Sequence, residues 1–555
     1  MNRYGWARPG DINAFFGLML DNLAVMLILV RLVTADDLVK QQDPENPRFS
    51  TQFVLTRMIP GTALGVLMGD LVYTWMAFRL ARRSGRPDVT AMPLGLDTPS
   101  TFGVAFLILL DALKHARKDH ADFDHDTAML FAWHVGIAVL MMCGVFKVIC
   151  APFGNLVRKL VPRAGLLGSL AAIALALIAF MPLQQDIARM PVVGMLALAV
   201  ILITLVAHRR LPGNFPGALA AVLVGVAIYF ICAVVGEPLG IPVPELNVAP
   251  VEFGWLRLPA TPEGREFGGW WGMVGVAALK RLPVALPFAL ATIIGGIDCT
   301  ESAAAAGDEY DTRTILLTEG MASFFAGMLG GVIQTTPYIG HPAYKAMGGR
   351  AAYTLATALF VGLAGVFGWF AFLFRWLPEP AMFPILVFVG LEITAQSFRA
   401  TPTNHYPAVA FAILPTLAYL MVILFKTPGV AIPTGDGAWL LQTLRCLGNG
   451  FIVTSLLWAA ALAAMMDGDL RRSAAYFAVA GVCAFFGVIH SPLGDEQIGL
   501  PLHIVELRRT ADLLDPATVQ FQTPIHWTVA YGLTAGLLLA LSFVRPKPVD
   551  HSGVR

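Results

Sequence analysis

Residues 331–342 read Gly331-Val332-Ile333-Gln334-Thr335-Thr336-Pro337-Tyr338-Ile339-Gly340-His341-Pro342, and residues 91–103 read Ala91-Met92-Pro93-Leu94-Gly95-Leu96-Asp97-Thr98-Pro99-Ser100-Thr101-Phe102-Gly103. Each has a short extended stretch, then Thr-Pro, then helix-forming residues. Thr at an N-cap followed by Pro at the first helical position is how a helix begins. Both beginnings fall inside apolar spans rather than at their edges. The reading predicts two half-helices starting at mid-membrane, near Thr98 and Thr336, with 92–97 and 332–335 extended and close together. Free backbone N–H groups and a positive dipole end would face an internal site.

The rest of the chain supports a membrane setting. Of 555 residues, 57% are hydrophobic and 14% charged, against roughly 25% charged in a soluble domain. Mean hydropathy is +0.68. With 38 Lys+Arg against 37 Asp+Glu there is no basic field for nucleic acid. The six cysteines lie in or beside apolar runs without C-x-x-C spacing and read as apolar fillers. About 16 runs are long enough to cross a bilayer: 13–34, 58–80, 92–113, 127–149, 163–182, 188–207, 216–236, 281–304, 313–333, 334–348, 351–375, 380–397, 406–425, 449–466, 473–490 and 526–544. The opening MNRYGWARPGD has no signal-peptide pattern. Longer polar connections fall at 35–57, 237–280, 426–448 and 491–525.

The interrupted spans are the third and the tenth, each third in a set of seven. Seven is odd, so two such sets run in opposite directions across the membrane. Interrupted spans at matching places in two halves point to a transporter binding site. The expected fold is an all-α polytopic membrane protein, a seven-plus-seven inverted repeat. The first repeat is 13–236 and the second 281–466, with added helices over 473–544 and core and gate domains drawn from both repeats. Lys and Arg gather at 79–86, 158–163, 209–210, 345–350, 471–472 and in the tail, Arg545, Lys547 and Arg555. That distribution places these loops and both termini in the cytoplasm, in a cell inner (plasma) membrane. The loop 114–126 is the counterexample, but it carries four Asp beside its three cations.

A third feature is Asp298-Cys299-Thr300-Glu301-Ser302, late in an apolar helix. Asp298, Glu301 and Ser302 share one face at i, i+3 and i+4. A carboxylate there can bond a substrate N–H or carry a coupling proton. The following acidic run, 307–311, offers the alternative that this helix end is already solvated. Glu319, which leads into the tenth span, ranks first among the scattered polar residues Asp21, Asn22, Asp70, His134, Glu319 and Glu392. The candidate substrate contacts are Asp97, Thr98, Asp298, Glu301, Ser302, Gln334, Thr336, Tyr338 and His341. Asp298 and Glu319 are the candidate proton carriers. No metal site, cofactor or enzymatic pattern is read: HExxH, GxSxG and Cys/His clusters are absent from the sequence.

Asp298, Ala306-Gly307, Glu319, Thr335-Thr336-Pro337-Tyr338-Ile339, Gly348-Gly349-Arg350 and Thr354 together resemble the signature of the xanthine/uracil/ascorbate permease family, nearest its hypoxanthine–adenine–guanine branch. The resemblance implies import of a purine or pyrimidine base such as xanthine or uracil with protons, or with sodium. The partners would then be a nucleobase, H+ and the lipid bilayer, and a homodimer is compatible with it. Two positions depart from the pattern. Gly340-His341 stands where the family carries Glu, Gln or Asn, and Cys299 replaces a Thr. His341 is then expected to supply the missing ligand. The rival reading is an anion transporter of the sulfate/carboxylate type with the same architecture, its two half-helix dipoles holding the anion. Carboxylates at Asp298 and Glu301 weigh against a bare anion site.

Overall fold

The computed structural model describes the chain except residues 1–3, 35–46, 121, 213–214, 237, 239, 242–255, 371, 373–375, 426–437, 492–523 and 544–555. The tail cations Arg545, Lys547 and Arg555, and most of the long polar connections, lie outside the described residues.

The described chain is almost wholly helical. In order it contains α1 (Gly10–Val33), α2 (Ile59–Ser84), strand β1 (Leu94–Leu96), α3 (Thr98–Gly103), α4 (His125–Cys150), α5 (Arg163–Ile173), α6 (Pro191–Ile201) and α7 (Gly217–Val235). A second series follows: α8 (Phe267–Ala305), α9 (Thr312–Met328), strand β2 (Thr335–Pro337), α10 (His341–Ala346), α11 (Ala352–Val366), α12 (Pro384–Arg399), α13 (Ile413–Phe425) and α14 (Phe451–Met466). Then come α15 (Leu470–Phe485) and α16 (Pro524–Ser542). This is the seven-plus-seven order with two helices added, and the strands fall in the third and tenth places. It is a multi-pass helical membrane protein.

Among the described residues nine helices are long and apolar enough to span a bilayer, or ten if the bent pair Trp439–Gly448 and Phe451–Met466 is one span. That is fewer than the candidate runs read from sequence, for physical reasons. The third and tenth runs are divided between strand and helix, and the helices Pro191–Val206 and Ala352–Val366 are shorter than a full span.

The chain packs as two compact units, one of residues 1–160 and 173–397, the other of 161–172 and 398–555. In the second unit, small residues close a core of Ala164, Ala171, Ala408, Val409, Ala412, Ala459 and Ala463. Alanine here lets helices approach closely, as membrane packing requires. The first unit holds both strands. There α2 meets the turn after α9 through glycine: a Cβ on Gly61 of α2 would lie 2.2 Å from the Gly331 nitrogen.

Candidate functional site

β1 and β2 pair antiparallel, with Leu94 opposite Pro337, Gly95 opposite Thr336 and Leu96 opposite Thr335. The pairing continues at both ends: Asp97 N donates to Gln334 O at 3.0 Å and Tyr338 N to Pro93 O at 2.8 Å. A two-stranded ribbon inside a membrane protein leaves outer-edge backbone groups that water cannot reach, so side chains must meet them. Asp70 of α2 accepts from Leu94 N at 2.9 Å. Ser323 of α9 accepts from Thr335 N at 3.2 Å. Thr335 O receives Lys147 Nζ of α4 at 3.1 Å, and Pro337 O receives Cys299 Sγ of α8 at 3.3 Å. Four helices thus hold the ribbon.

The helix starts differ from the Thr-Pro expectation. In the first segment Asp97, not Thr98, is the N-cap, its Oδ2 accepting from Ser100 N at 2.7 Å. Thr98 is the first residue of α3, which runs on through a π-helical stretch, Val104–Leu110, to Asp119. In the second segment Thr336 lies in the middle of β2, and α10 begins five residues later at His341, with Gly340 as N-cap.

The ribbon brings together Asp97, Thr98, Gln334, Thr336 and Tyr338. Gln334 is 2% exposed and accepts weakly from Thr292 Oγ1 of α8 at 3.5 Å. Glu319 of α9 joins them through a residue that the sequence reading missed. Lys147 Nζ lies 2.8 Å from Glu319 Oε1, and both side chains are completely buried. The sequence did hold a signal, a Lys between apolar neighbours in Val145-Phe146-Lys147-Val148-Ile149. Placing the span's end at 149 made this Lys a boundary residue. The helical run in fact continues to Leu160, about 16 Å further at 1.5 Å per residue.

Asp298 is buried on α8 beside Cys299. Thr292, Gly296 and Cys299 form the α8 stripe against the ribbon, and a Cβ on Gly296 would stand 2.8 Å from Glu319 Oε2. Glu301 and Ser302 meet other partners. Glu301 binds Arg158 Nε at 2.5 Å, and Ser302 Oγ donates to Gln396 Oε1 of α12 at 2.9 Å. His341 lies on the Asp308 side of α10. Its Nε2 lies 3.3 Å from Asp308 Oδ2 and 3.3 Å from Thr90 O. Of the scattered polar residues, Asn22 bonds Leu18 O, His134 accepts from Trp270 Nε1 at 2.9 Å, and Asp70 serves the ribbon edge.

A small cavity lies beside the ribbon, lined by Ile108, Gly136, Leu140, Cys143, Phe288 and Gln334 among others. Its α4 wall ends at Cys143, one helical turn before Lys147. Among the described residues no group of three or more His, Cys, Asp or Glu is arranged to hold a metal ion.

No protein-family model matches this chain, and no curated protein matches it. Solved structures with a similar course include the transmembrane domain of a cyanobacterium bicarbonate transporter, BicA, at 15% identity and TM-score 0.36, covering 80% of this chain and 97% of that one. SLC26A9 is another, at 11% identity and TM-score 0.37, covering 88% and 92%. At these scores neither neighbour's cargo is transferred to this chain.

The expected membership of the nucleobase permease family is corrected by these findings, and nucleobase import with it. Several residues of the apparent signature make packing and pairing contacts within the fold. Glu319 pairs with Lys147, and Thr354 Oγ1 meets Thr74 Oγ1 at 2.8 Å. Arg350 N and Tyr353 N both donate to Asp11 Oδ1, at 2.8 and 3.1 Å. The position that would read a base, His341, is turned to Asp308.

Proposed function

We propose that this chain is a secondary transporter of a small anion, moved together with a coupling cation, the proton first. The observation that carries this reading is Lys147, a fully buried ammonium at the strand crossing. The same ribbon carries uncharged donors, the Gln334 amide and the Thr336 hydroxyl, and leads into the helical run that starts at Thr98, whose dipole favours negative charge. Tyr338 closes the ribbon end. These residues are the proposed substrate contacts.

Two carboxylates, Asp97 and Glu319, stand near this one ammonium, and Asp298 is buried next to Cys299 on α8. An anion entering such a centre meets like charge unless carboxylates are neutralised first. That requirement is the physical basis for coupling, and it makes Asp298 and Glu319 the proposed proton carriers. Glu301, which weighed against an anion, is already matched by Arg158. Residues 13–236 and 281–466 are the proposed repeats, and the orientation in an inner membrane has both termini cytoplasmic.

The test is uptake into proteoliposomes of radiolabelled sulfate, bicarbonate and dicarboxylates, under an inward proton or sodium gradient and with a protonophore. The expected result is gradient-driven uptake of at least one anion, lost in Lys147→Gln. A well-folded wild-type protein that moves none of these anions under either gradient overturns the reading.

A further inference from the structure

We infer that the Lys147–Glu319 pair is a proton-operated anion site, in which protonation of Glu319 releases the Lys147 ammonium to a small anion that takes the carboxylate's place. This rests on the anion-transport reading and deepens it by assigning the binding cation and its switch.

Charge in a closed site is the first argument. Both side chains are 0% exposed, 2.8 Å apart. A buried ion pair is stable only while both partners are present, and loss of one leaves an uncompensated charge worth several kcal/mol. Adding a proton to Glu319 converts carboxylate to carboxylic acid and leaves Lys147 with a net positive charge. An arriving anion restores neutrality. A monovalent anion and one proton therefore enter together, with no net charge added to the site.

The second argument is donor geometry. An ammonium has three N–H donors. Among the described residues, Lys147 meets Glu319 and Thr335 O at 3.1 Å. The carbonyl anchors the ammonium to the ribbon when the carboxylate lets go, so the charge stays at the strand crossing. One turn along α4, Cys143 begins the wall of the small cavity that also contains Gln334. That cavity is apolar with one amide and stops a turn short of the pair, so an anion meets the Lys147 charge only where the Glu319 carboxylate gives way.

The third argument is the set of groups facing Glu319. From α4 there is Lys147; from α2, Tyr73, with Asp70 beyond it; from α8, Cys299, with Asp298 beyond it, and the Thr292 hydroxyl; and from the N-cap of α3, Asp97. Among the described residues Lys147 is the single cation in this shell, and the other charged neighbours are acids. Glu319 is the acid in direct contact with the ammonium. It is therefore the carboxylate whose protonation changes what Lys147 can bind.

Two measurements on purified protein test this. In wild type, adding a transported anion in weakly buffered detergent should draw about one proton per anion onto the protein, read with a pH dye. Apparent affinity should fall up to about tenfold for each pH unit above the switching range. Glu319→Gln should retain anion exchange without an imposed gradient, lose acid stimulation, and take up no proton. Lys147→Gln should lose anion binding at every pH. If Glu319→Gln folds poorly because its ammonium is left unpaired, the double variant Lys147→Gln/Glu319→Gln should recover a monodisperse protein that binds no anion. Wild type that transports an anion yet takes up no proton, or Glu319→Gln that keeps acid stimulation, overturns this inference and leaves anion transport standing. Wild type that transports no anion overturns the reading beneath it.

Discussion

Asp308 has no exposed side-chain surface, and four donors converge on it. Lys345 Nζ lies at 2.7 Å, Thr90 N at 3.1 Å, Arg86 Nη1 at 3.2 Å and His341 Nε2 at 3.3 Å. Burial alone would push its carboxyl up, but His341 and Lys345 outweigh burial and hold it below the ordinary carboxylate value of 3.8. A carboxyl depressed in the folded state adds stability that is complete above its unfolded value and is lost as pH falls through the folded one. Replacing it with Asn takes the carboxylate away from Lys345 and Arg86, whose side chains are 18% and 35% exposed, at a cost of about 1–3 kcal/mol. We expect Asp308→Asn to lower the melting temperature clearly at pH 7, and the gap from wild type to shrink only below about pH 4. A gap that is unchanged at pH 3 would show that the carboxylate's charge is not the stabiliser. Nothing in Gly307-Asp308-Glu309-Tyr310-Asp311 announces this role, and the run reads as solvated. In the fold Asp308 is buried, Glu309 pairs with Arg158 at 2.7 Å, and Asp311 caps α9 through Thr314 N at 3.0 Å. The partners arrive from residues 86, 90, 341 and 345, which local sequence cannot bring together.

At the scale of elements, the two interrupted spans were legible because Pro, Gly and polar residues are costly inside an apolar run and stand there where the chain leaves the helix. The start of the second helix was not legible. Thr335-Thr336-Pro337 satisfies the same residue preferences as a cap, but the strand opposite decides its conformation. Pro337 ends the strand opposite Leu94, whose own N–H goes to Asp70, so the proline's missing donor costs no ladder bond. The helix then starts at the next Gly-x-Pro, Gly340-His341-Pro342. Glycines separate the same way, by surroundings rather than by type. A methyl on Gly61 would lie 2.2 Å from Gly331 N and 2.4 Å from Leu329 O, both backbone atoms unable to move alone. A methyl on Gly295 of α8 would meet nothing within 4 Å. Gly61→Ala should cost about 1–3 kcal/mol or more through overpacking and reduce the folded fraction on size-exclusion chromatography. Gly295→Ala should be neutral, or stabilising by up to about 1 kcal/mol, since it replaces a helix-interior glycine in open space. Equal behaviour of the two variants would contradict the close approach of α2 to residues 329–331.

At the scale of the molecule, antiparallel pairing of β1 with β2 is what inversion of the repeat demands. Third spans of two halves with opposite direction meet head to tail, whereas halves of the same direction would bring parallel strands. That symmetry was legible from chain order and from the odd number of spans. The cargo was not, because Lys147, the cation paired with Glu319, lies far from the signature in sequence and only the fold brings the two together. The proposed orientation rests on the first unit's charged loops. Arg86, Asp308 and Lys345 are joined by ion pairs, and Arg158 pairs with Glu301 and Glu309. The basic stretches near 79–86, 158–160 and 345–350 therefore sit at one end of that unit. The opposite end holds Arg265 paired with Asp122 at 2.7 Å. Between these ends α8 spans 39 residues, about 58 Å at 1.5 Å per residue, well beyond the ~30 Å of a hydrocarbon core. Clustered Arg and Lys generally stay on the cytoplasmic side, and the proposed orientation puts the basic end of this unit there. Ser84 at the basic end and Glu263 before α8 are both exposed and suit labelling, in a background with the half-buried Cys150 and Cys483 changed to Ser. In intact cells a membrane-impermeant maleimide should label Glu263→Cys and spare Ser84→Cys until the membrane is opened. The reverse pattern would invert the orientation, and labelling of both from outside would mean that the two ends do not lie on opposite faces of a membrane.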